Sequence, residues 1–144
     1  MAGKRLRVLI ARFGEGHEKA MLKLAHSCCE AGFEVIYSEL RDPEAIAACA
    51  MQEAVDHIGI TTLPGAEVGE FHKLFEILSK NGLSNVRVTA GGIFPAEDVE
   101  AIRHLGVVDF YPGDSIYEKI EKWREKYGVQ ADASECAEFD GKKA

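Results

Sequence analysis

Residues 6–37 read LRVLIARFGEGHEKAMLKLAHSCCEAGFEVIY, and the change of pattern within this stretch decides the fold. Its first part, residues 6–11, is a short and mostly apolar run, which is typical of a strand covered on both faces in a parallel sheet. From Glu18 the period becomes helical, and Gly32 marks the end of the helix. The apolar face of this helix consists of Met21, Leu24, Ala25 and Cys28. Residues 33–37 then predict a second strand.

The same pattern repeats along the chain to residue 127. Further strands are predicted at residues 57–62, 86–90 and 107–111, each followed by a helical pattern. In the second helix, Asp42 is the expected N-cap and Pro43 the first helical residue. Its inner face is expected to consist of Ile46, Cys49, Ala50 and Ala54. Five strands that alternate with five helices predict a flavodoxin-like α/β fold, a doubly wound five-stranded parallel sheet with helices on both faces.

Ligands of such a sheet bind at the carboxyl ends of its strands, so function is expected in the loops that lie there. These loops are residues 12–17, 39–42, 63–65, 91–94 and 112–115. In the fourth of them, we expect Gly91 and Gly92 to form the turn that follows the strand.

Composition narrows the class of protein. The chain of 144 residues is 47% hydrophobic, enough for one domain with a core, which we place at residues 1–127. Residues 128–144 lack a sustained apolar pattern and predict a mobile tail without an assigned function. The formal net charge of −7 and the lack of a long apolar segment argue against nucleic acid and membrane partners and favour a cytoplasmic protein. The four cysteines show no Cys-x-x-Cys spacing, so we expect reduced core residues.

Three common ligand loops of this architecture do not suit the sequence. A dinucleotide loop needs a third glycine, whereas the residues that follow Gly14 and Gly16 include Lys19 and Ala20 at that place. A flavin-phosphate loop is rich in serine and threonine, which the first loop lacks. A phosphoacceptor receiver needs an aspartate at the end of the third strand, where this chain has Thr61.

The first loop contains one histidine, His17, with Glu15 two residues before it. A neutral imidazole binds a metal through one ring nitrogen while a carboxylate accepts the proton on the other, which fixes the tautomer. Arg12 is close enough in sequence to keep that carboxylate ionised. Because a single histidine does not make a complete metal site, these residues alone favour a solvated histidine paired with Glu15.

Three motifs change that interpretation: residues 14–20 (GEGHEKA), residues 61–63 (TTL) and the pair Gly91-Gly92. Together with AGFEVIY at residues 31–37, they resemble the cobalamin-binding domain of adenosylcobalamin-dependent mutases. The family's signatures are Asp-x-His-x-x-Gly, Ser-x-Leu and Gly-Gly. The resemblance covers about residues 5–125 and is strongest to the small, or C-terminal, cobalamin domain of acyl-CoA mutases of the methylmalonyl-CoA and isobutyryl-CoA types.

This resemblance implies that His17 is the metal ligand, the lower axial ligand of cobalt in adenosylcobalamin. Glu15 takes the place of the aspartate that hydrogen-bonds this histidine, one methylene longer than in the family. Arg12 takes the place of a lysine behind the aspartate.

The other motifs match the path of the cofactor's nucleotide tail. Thr61 and Leu63 match the Ser-x-Leu pair that lines the tail's channel. Gly91 and Gly92 match the glycines that let the tail approach the backbone. The remaining cofactor-binding positions that the resemblance implies are Gly16, Ala20 (a glycine in the family), Gly113, Asp114 and Ser115.

The resemblance implies a cobalamin-binding subunit of a carbon-skeleton mutase, an isomerase that acts on acyl-CoA thioesters. A chain of 144 residues has no room for a substrate-binding barrel, so we expect a separate large subunit as partner and little catalysis without it. Two alternatives stay open. One is a corrinoid carrier for methyl transfer, and the other is a cobalamin-free assembly or regulatory descendant, which the residues Glu15 and Ala20 motivate.

Overall fold

The computed structural model describes residues 6–16, 18–112 and 116–127. Its strands and helices alternate as the sequence predicts. In chain order the elements are β1 (Arg7–Phe13), α1 (Glu18–Glu30), β2 (Glu34–Tyr37), α2 (Pro43–Gln52), β3 (His57–Thr62), α3 (Val68–Lys80), β4 (Arg87–Gly92), α4 (Ala96–Leu105), β5 (Asp109–Pro112) and α5 (Ile116–Tyr127).

The five strands form one parallel sheet in the order β2-β1-β3-β4-β5. The strand order reverses between β1 and β3, because the chain runs from β1 outward to β2 and then returns to the other side. Ligands of open α/β sheets bind outside the carboxyl ends of the strands at such a reversal. The predicted flavodoxin-like, doubly wound sheet is therefore confirmed, and its reversal lies next to the first loop.

Helices cover both faces of the sheet. Helices α1 and α5 pack together on one face, over a core cluster that includes Val8, Ile10, Met21, Phe33 and Trp123. Helices α2, α3 and α4 pack side by side on the other face, over a larger cluster that includes Leu9, Phe13, Ile58, Phe71 and Leu74. Alternate residues of β1 face opposite clusters, which explains why its whole run is apolar.

Helix α2 begins as predicted and ends earlier. The Asp42 carboxylate accepts a hydrogen bond from the backbone N–H of Glu44 at 3.3 Å, and Pro43 is the first helical residue. The expectation that Ala54 lies on the inner face of this helix is wrong. Ala54 follows the helix, is exposed, and has a φ of +53° in the turn that leads to β3.

The expectation that Gly91 and Gly92 form a turn is also wrong, because both are the last residues of β4. Gly91 lies between Thr61 and Tyr111 in the sheet, and Gly92 between Thr62 and Pro112. Strand β1 likewise runs on through Phe13. The sheet thus extends farther towards its carboxyl edge than the apolar patterns indicate, since its last residues pair through backbone groups that hydrophobicity does not report.

The predicted tail, residues 128–144, lies outside the described residues.

The cysteines differ from the expectation. Cys29 is disulfide-bonded, contrary to the reduced state expected for all four cysteines, whereas Cys28 and Cys49 are free and buried. In the described ranges, the helices lack the combination of length and apolar character that crossing a membrane requires.

Candidate functional site

The first loop is fixed to the loop that follows β3. The backbone N–H of Leu63 donates to the Phe13 carbonyl at 2.9 Å, and the N–H of Glu15 donates to the Pro64 carbonyl at 3.0 Å. Gly14 allows this close approach. Its φ is +92°, and a Cβ at this position would lie 2.4 Å from the carbonyl oxygen of Leu63. Any side chain here would push the two loops apart, so Gly14 sets the position of the residues that follow it.

Charged side chains surround this loop. Arg12 is buried, with 8% of its surface exposed, and its guanidinium donates to the Gly16 carbonyl at 3.4 Å. The exposed Glu15 carboxylate forms an ion pair with Arg41, which belongs to the loop after β2. The sequence indicates Arg12 as the cation beside Glu15 but not Arg41, because this ion pair joins loops that are 26 residues apart. His17 lies outside the described residues.

A cleft opens beside this loop, between the sheet and helices α1 and α5, with about 580 Å3 of empty space including its mouth. We call it the α1–α5 cleft. Four residues predicted from the sequence line it: Ala20, Thr61, Gly91 and Gly92. Leu63 does not line the cleft, but it is buried in the core cluster on the same face of the sheet. Gly113, Asp114 and Ser115 lie outside the described residues.

Most of the cleft's wall was not identified from the sequence. The additional lining residues are Ile10, Leu24, Gly59, Ile60, Thr89, Ala90, Tyr111, Ile116, Tyr117 and Trp123. Gly59 and Ala90 carry little or no side chain where neighbouring core strands carry large ones, which leaves space beside α1 and α5. Small residues inside otherwise bulky strands are a sequence signal that could have located this cleft.

The two glycines of β4 make the sheet side of the α1–α5 cleft flat. A Cβ on Gly91 would lie 2.8 Å from the carbonyl oxygen of Tyr111. The φ of Gly92 is +122°, and a Cβ there would lie 2.5 Å from the carbonyl oxygen of Thr62. The Thr62 hydroxyl also donates to the Gly91 carbonyl at 3.0 Å. Both positions therefore require glycine for the pairing of the strands themselves, in addition to any ligand that approaches the backbone.

Two residues that line the cleft, Thr89 and Trp123, contact a buried histidine that does not line it. Trp123 donates its indole N–H to the Tyr111 hydroxyl at 2.6 Å. His57 is only 1% exposed, its Nε2 lies 2.8 Å from the Thr89 hydroxyl oxygen, and its ring contacts Trp123 with centroids 4.7 Å apart. Burial, together with the smaller effects of the charges of Arg87 and Lys126, lowers the pKa of His57 to about 3. His57 is thus a neutral, structural residue.

The arrangement suits one class of ligand. The cleft has an apolar, aromatic wall, a flat backbone side at Gly91 and Gly92, and an open mouth at the carboxyl edge of the sheet. Such a cleft accepts a flat, mostly apolar ring system with polar groups at its outer end. Within the ranges that the structure describes, no group of three or more His, Cys, Asp or Glu side chains could hold a metal ion.

Comparison with known proteins gives a consistent result. The family model described as B12 binding domain matches residues 6–121. The chain is 42% identical over 104 residues to the 2-hydroxyisobutanoyl-CoA mutase small subunit of Aquincola tertiaricarbonis, covering 71% of this chain and 76% of that protein. It is 31% identical over 134 residues to the methylmalonyl-CoA mutase large subunit of Propionibacterium freudenreichii subsp. shermanii, covering 91% of this chain but only 18% of that one.

Among solved structures, the signal receiver domain of the response regulator NarL from Mycobacterium tuberculosis superposes with a TM-score of 0.67 at 16% identity. The match covers 87% of this chain and 97% of that domain. At such low identity the likeness concerns the fold alone.

Proposed function

Because this chain belongs to the B12-binding domain family, we propose that it is the cobalamin-carrying small subunit of a mutase that isomerises acyl-CoA thioesters. The observation that carries the proposal is the α1–α5 cleft, which lies between a flat glycine backbone and two helices and opens beside the first loop. Its apolar wall and its flat backbone side at Gly91 and Gly92 suit the nucleotide tail of adenosylcobalamin.

Cobalt in a corrinoid receives most of its ligands from the ring, so the protein needs to supply one further ligand. We assign the axial position to His17 on the strength of the resemblance, since this residue lies outside the described ranges.

We propose that Glu15 orients His17. Two arginines contact the loop that contains Glu15. Arg41 pairs with its carboxylate, and the buried Arg12 fixes the backbone of the same loop through the Gly16 carbonyl. The ion pair is exposed and worth at most about 1 kcal/mol. Glu15 can therefore leave Arg41 at low cost and turn towards the histidine.

When bound, adenosylcobalamin supplies a cobalt–carbon bond whose homolysis starts radical chemistry. The chain's own residues bind and orient the cofactor. Thr61 and the glycines of β4 border the tail, while Tyr111, Tyr117 and Trp123 exclude water from it. We place the acyl-CoA site in a separate large subunit, as the name of the Aquincola relative suggests. The cytoplasmic location stays a prediction from the sequence.

The experiment compares adenosylcobalamin with adenosylcobinamide, which has the same ring but no nucleotide tail. The full chain is titrated with each compound, and binding is followed in the visible spectrum. We expect saturable binding of adenosylcobalamin and at least tenfold weaker binding of adenosylcobinamide, because only the former fills the α1–α5 cleft. Absence of binding to both compounds would overturn the proposal.

A cobalamin-free descendant remains the second candidate, because Ala20 lines the cleft where the family has glycine, and Glu15 is engaged by Arg41. The double variant Glu15→Asp, Ala20→Gly separates the two candidates. If the fold has lost its ligand by drift, this variant binds adenosylcobalamin and the native chain does not. If both proteins bind it, the chain is a cobalamin carrier as proposed.

A further inference from the structure

A second groove lies at the opposite edge of the sheet, with about 670 Å3 of empty space. It is lined by the first residues of three strands, His57 of β3, Arg87 of β4 and Asp109 of β5, which places it at the amino-terminal edge. Its remaining wall includes one side of α5. It shares Thr89, Tyr111 and Trp123 with the α1–α5 cleft, which lies at the carboxyl edge of the sheet.

This groove concentrates positive charge on an acidic protein. Arg87, Lys119, Lys122 and Lys126 line it, although the chain as a whole has a formal charge of −7. The three lysines follow one another along α5 at successive turns, within roughly 60° of the helix circumference and over about 10 Å of its length. We call this feature the basic groove.

Carboxylates do not neutralise the lysines in the described part of the chain. Asp109 is the acidic residue of the groove, and its Oδ1 already accepts the backbone N–H of Phe110 at 3.0 Å and lies 4.0 Å from Arg103. None of the three lysines takes part in an ion pair among residues 6–16, 18–112 and 116–127. The glutamates of α5 do not line the groove, and Glu121 pairs with Arg124.

The floor of the groove is consistent with a positive potential. The pKa of His57 is lowered to about 3 by burial, and Arg87 and Lys126 contribute to the same direction. The histidine therefore adds no charge of its own, and the three lysines of α5 provide the positive charge of the groove. Clustered cations in a concave site with a low-dielectric wall attract anions more strongly than the same cations on a flat surface.

We propose that the basic groove binds a compact multivalent anion of the phosphate class, a di- or triphosphate that is either free or carried by a nucleotide or coenzyme. Successive lysines of α5 are about one helical turn, 5.4 Å, apart, which is similar to the separation of the terminal phosphates in a triphosphate. A long polyanion such as nucleic acid fits poorly, because beyond the groove it would meet a predominantly acidic surface.

Trp123 provides the measurement, since it is the single tryptophan of the chain and lies in the wall of the groove. The full chain, without corrinoid, is titrated with sodium triphosphate, ATP, coenzyme A and sulfate at constant ionic strength, and tryptophan fluorescence is recorded. Saturable changes are expected with triphosphate and at least tenfold weaker binding with sulfate. Tighter binding of ATP or coenzyme A than of triphosphate would identify a nucleotide-carried phosphate, and equal binding a free polyphosphate.

Variants show whether the groove is responsible. Lys122→Ala is expected to weaken triphosphate binding about tenfold, and Lys122→Arg to retain it. Lys80→Ala, which removes an exposed lysine from α3 on the other face, is the control and should change binding less than twofold. The proposal is wrong if no titrant gives a saturable signal, if sodium chloride produces the same change, or if Lys122→Ala binds like the native chain. Because corrinoid is absent, these outcomes do not depend on the proposed mutase function.

Discussion

Trp123 donates its indole N–H to the hydroxyl of Tyr111 at 2.6 Å, and both side chains lie in the wall that separates the α1–α5 cleft from the basic groove. Both residues are largely buried, with 8% and 5% of their surfaces exposed. This hydrogen bond joins β5 to α5 at a largely buried place, where water cannot easily replace it.

Tyr111→Phe is expected to reduce the free energy of unfolding by about 1–3 kcal/mol, because it leaves the buried indole N–H without its acceptor. Urea denaturation, followed by circular dichroism, measures this change. Trp123→Phe removes the donor, so the double variant should be less destabilised than the sum of the two single variants. Simple additivity would show that the two side chains do not interact in solution.

Gly14→Ala is expected to destabilise the fold more than Gly16→Ala does. Both glycines have positive φ, +92° and +98°, so alanine is strained at either position by about 1–2 kcal/mol. Only at Gly14 does the new Cβ also meet backbone, at 2.4 Å from the Leu63 carbonyl oxygen, whereas the space at Gly16 is open. Equal melting temperatures of the two variants would contradict the contact between the first and third loops.

Much of this fold follows from the sequence, because apolar periodicity and capping residues report local structure directly. Strand β3 has the predicted bounds, and Asp42 caps α2 as expected. The site is harder to predict. The pairing of Glu15 with Arg41 and the wall of the α1–α5 cleft depend on residues that are distant in sequence, and no local pattern brings them together.

The glycines of β4 also show that a local sequence pattern does not always predict the structure. A Gly-Gly pair suggests a turn, yet here the lack of Cβ atoms allows Gly91 and Gly92 to pair closely with their neighbours at the end of a strand. Only the arrangement of the adjacent strands distinguishes these two uses of glycine.

His57 is expected to make the fold sensitive to acid. Its pKa is about 3 in the folded chain, against an ordinary value of 6.5 for a histidine exposed to water, so the unfolded state binds a proton more readily. Above about pH 6.5 this difference in pKa does not reduce the free energy of unfolding. As the pH falls from 6.5 towards 3, the free energy of unfolding decreases by roughly 1.4 kcal/mol per pH unit. Urea midpoints measured from pH 7 to pH 4 give the slope. His57→Gln should flatten it, and an unchanged slope would show that other groups cause the acid sensitivity.

Ala20→Phe is expected to weaken adenosylcobalamin binding at least tenfold while it changes stability little, because the new ring projects from an exposed position of α1 into the α1–α5 cleft. Leu22→Phe, on the same helix but outside the cleft lining, is the matched control. Dialysis against the cofactor measures both affinities. If the two variants bind equally well, the tail does not occupy this cleft.

Electron paramagnetic resonance of the protein-bound cob(II)alamin shows whether His17 binds cobalt. The full chain is labelled with 15N only at histidine, reduced with its cofactor, and compared with the unlabelled chain and with His17→Ala. We predict that the label changes the axial nitrogen hyperfine splitting, that His17→Ala loses this change, and that His72→Ala, an exposed histidine on α3, keeps it. A splitting that is identical with and without the label in the native chain would contradict the account.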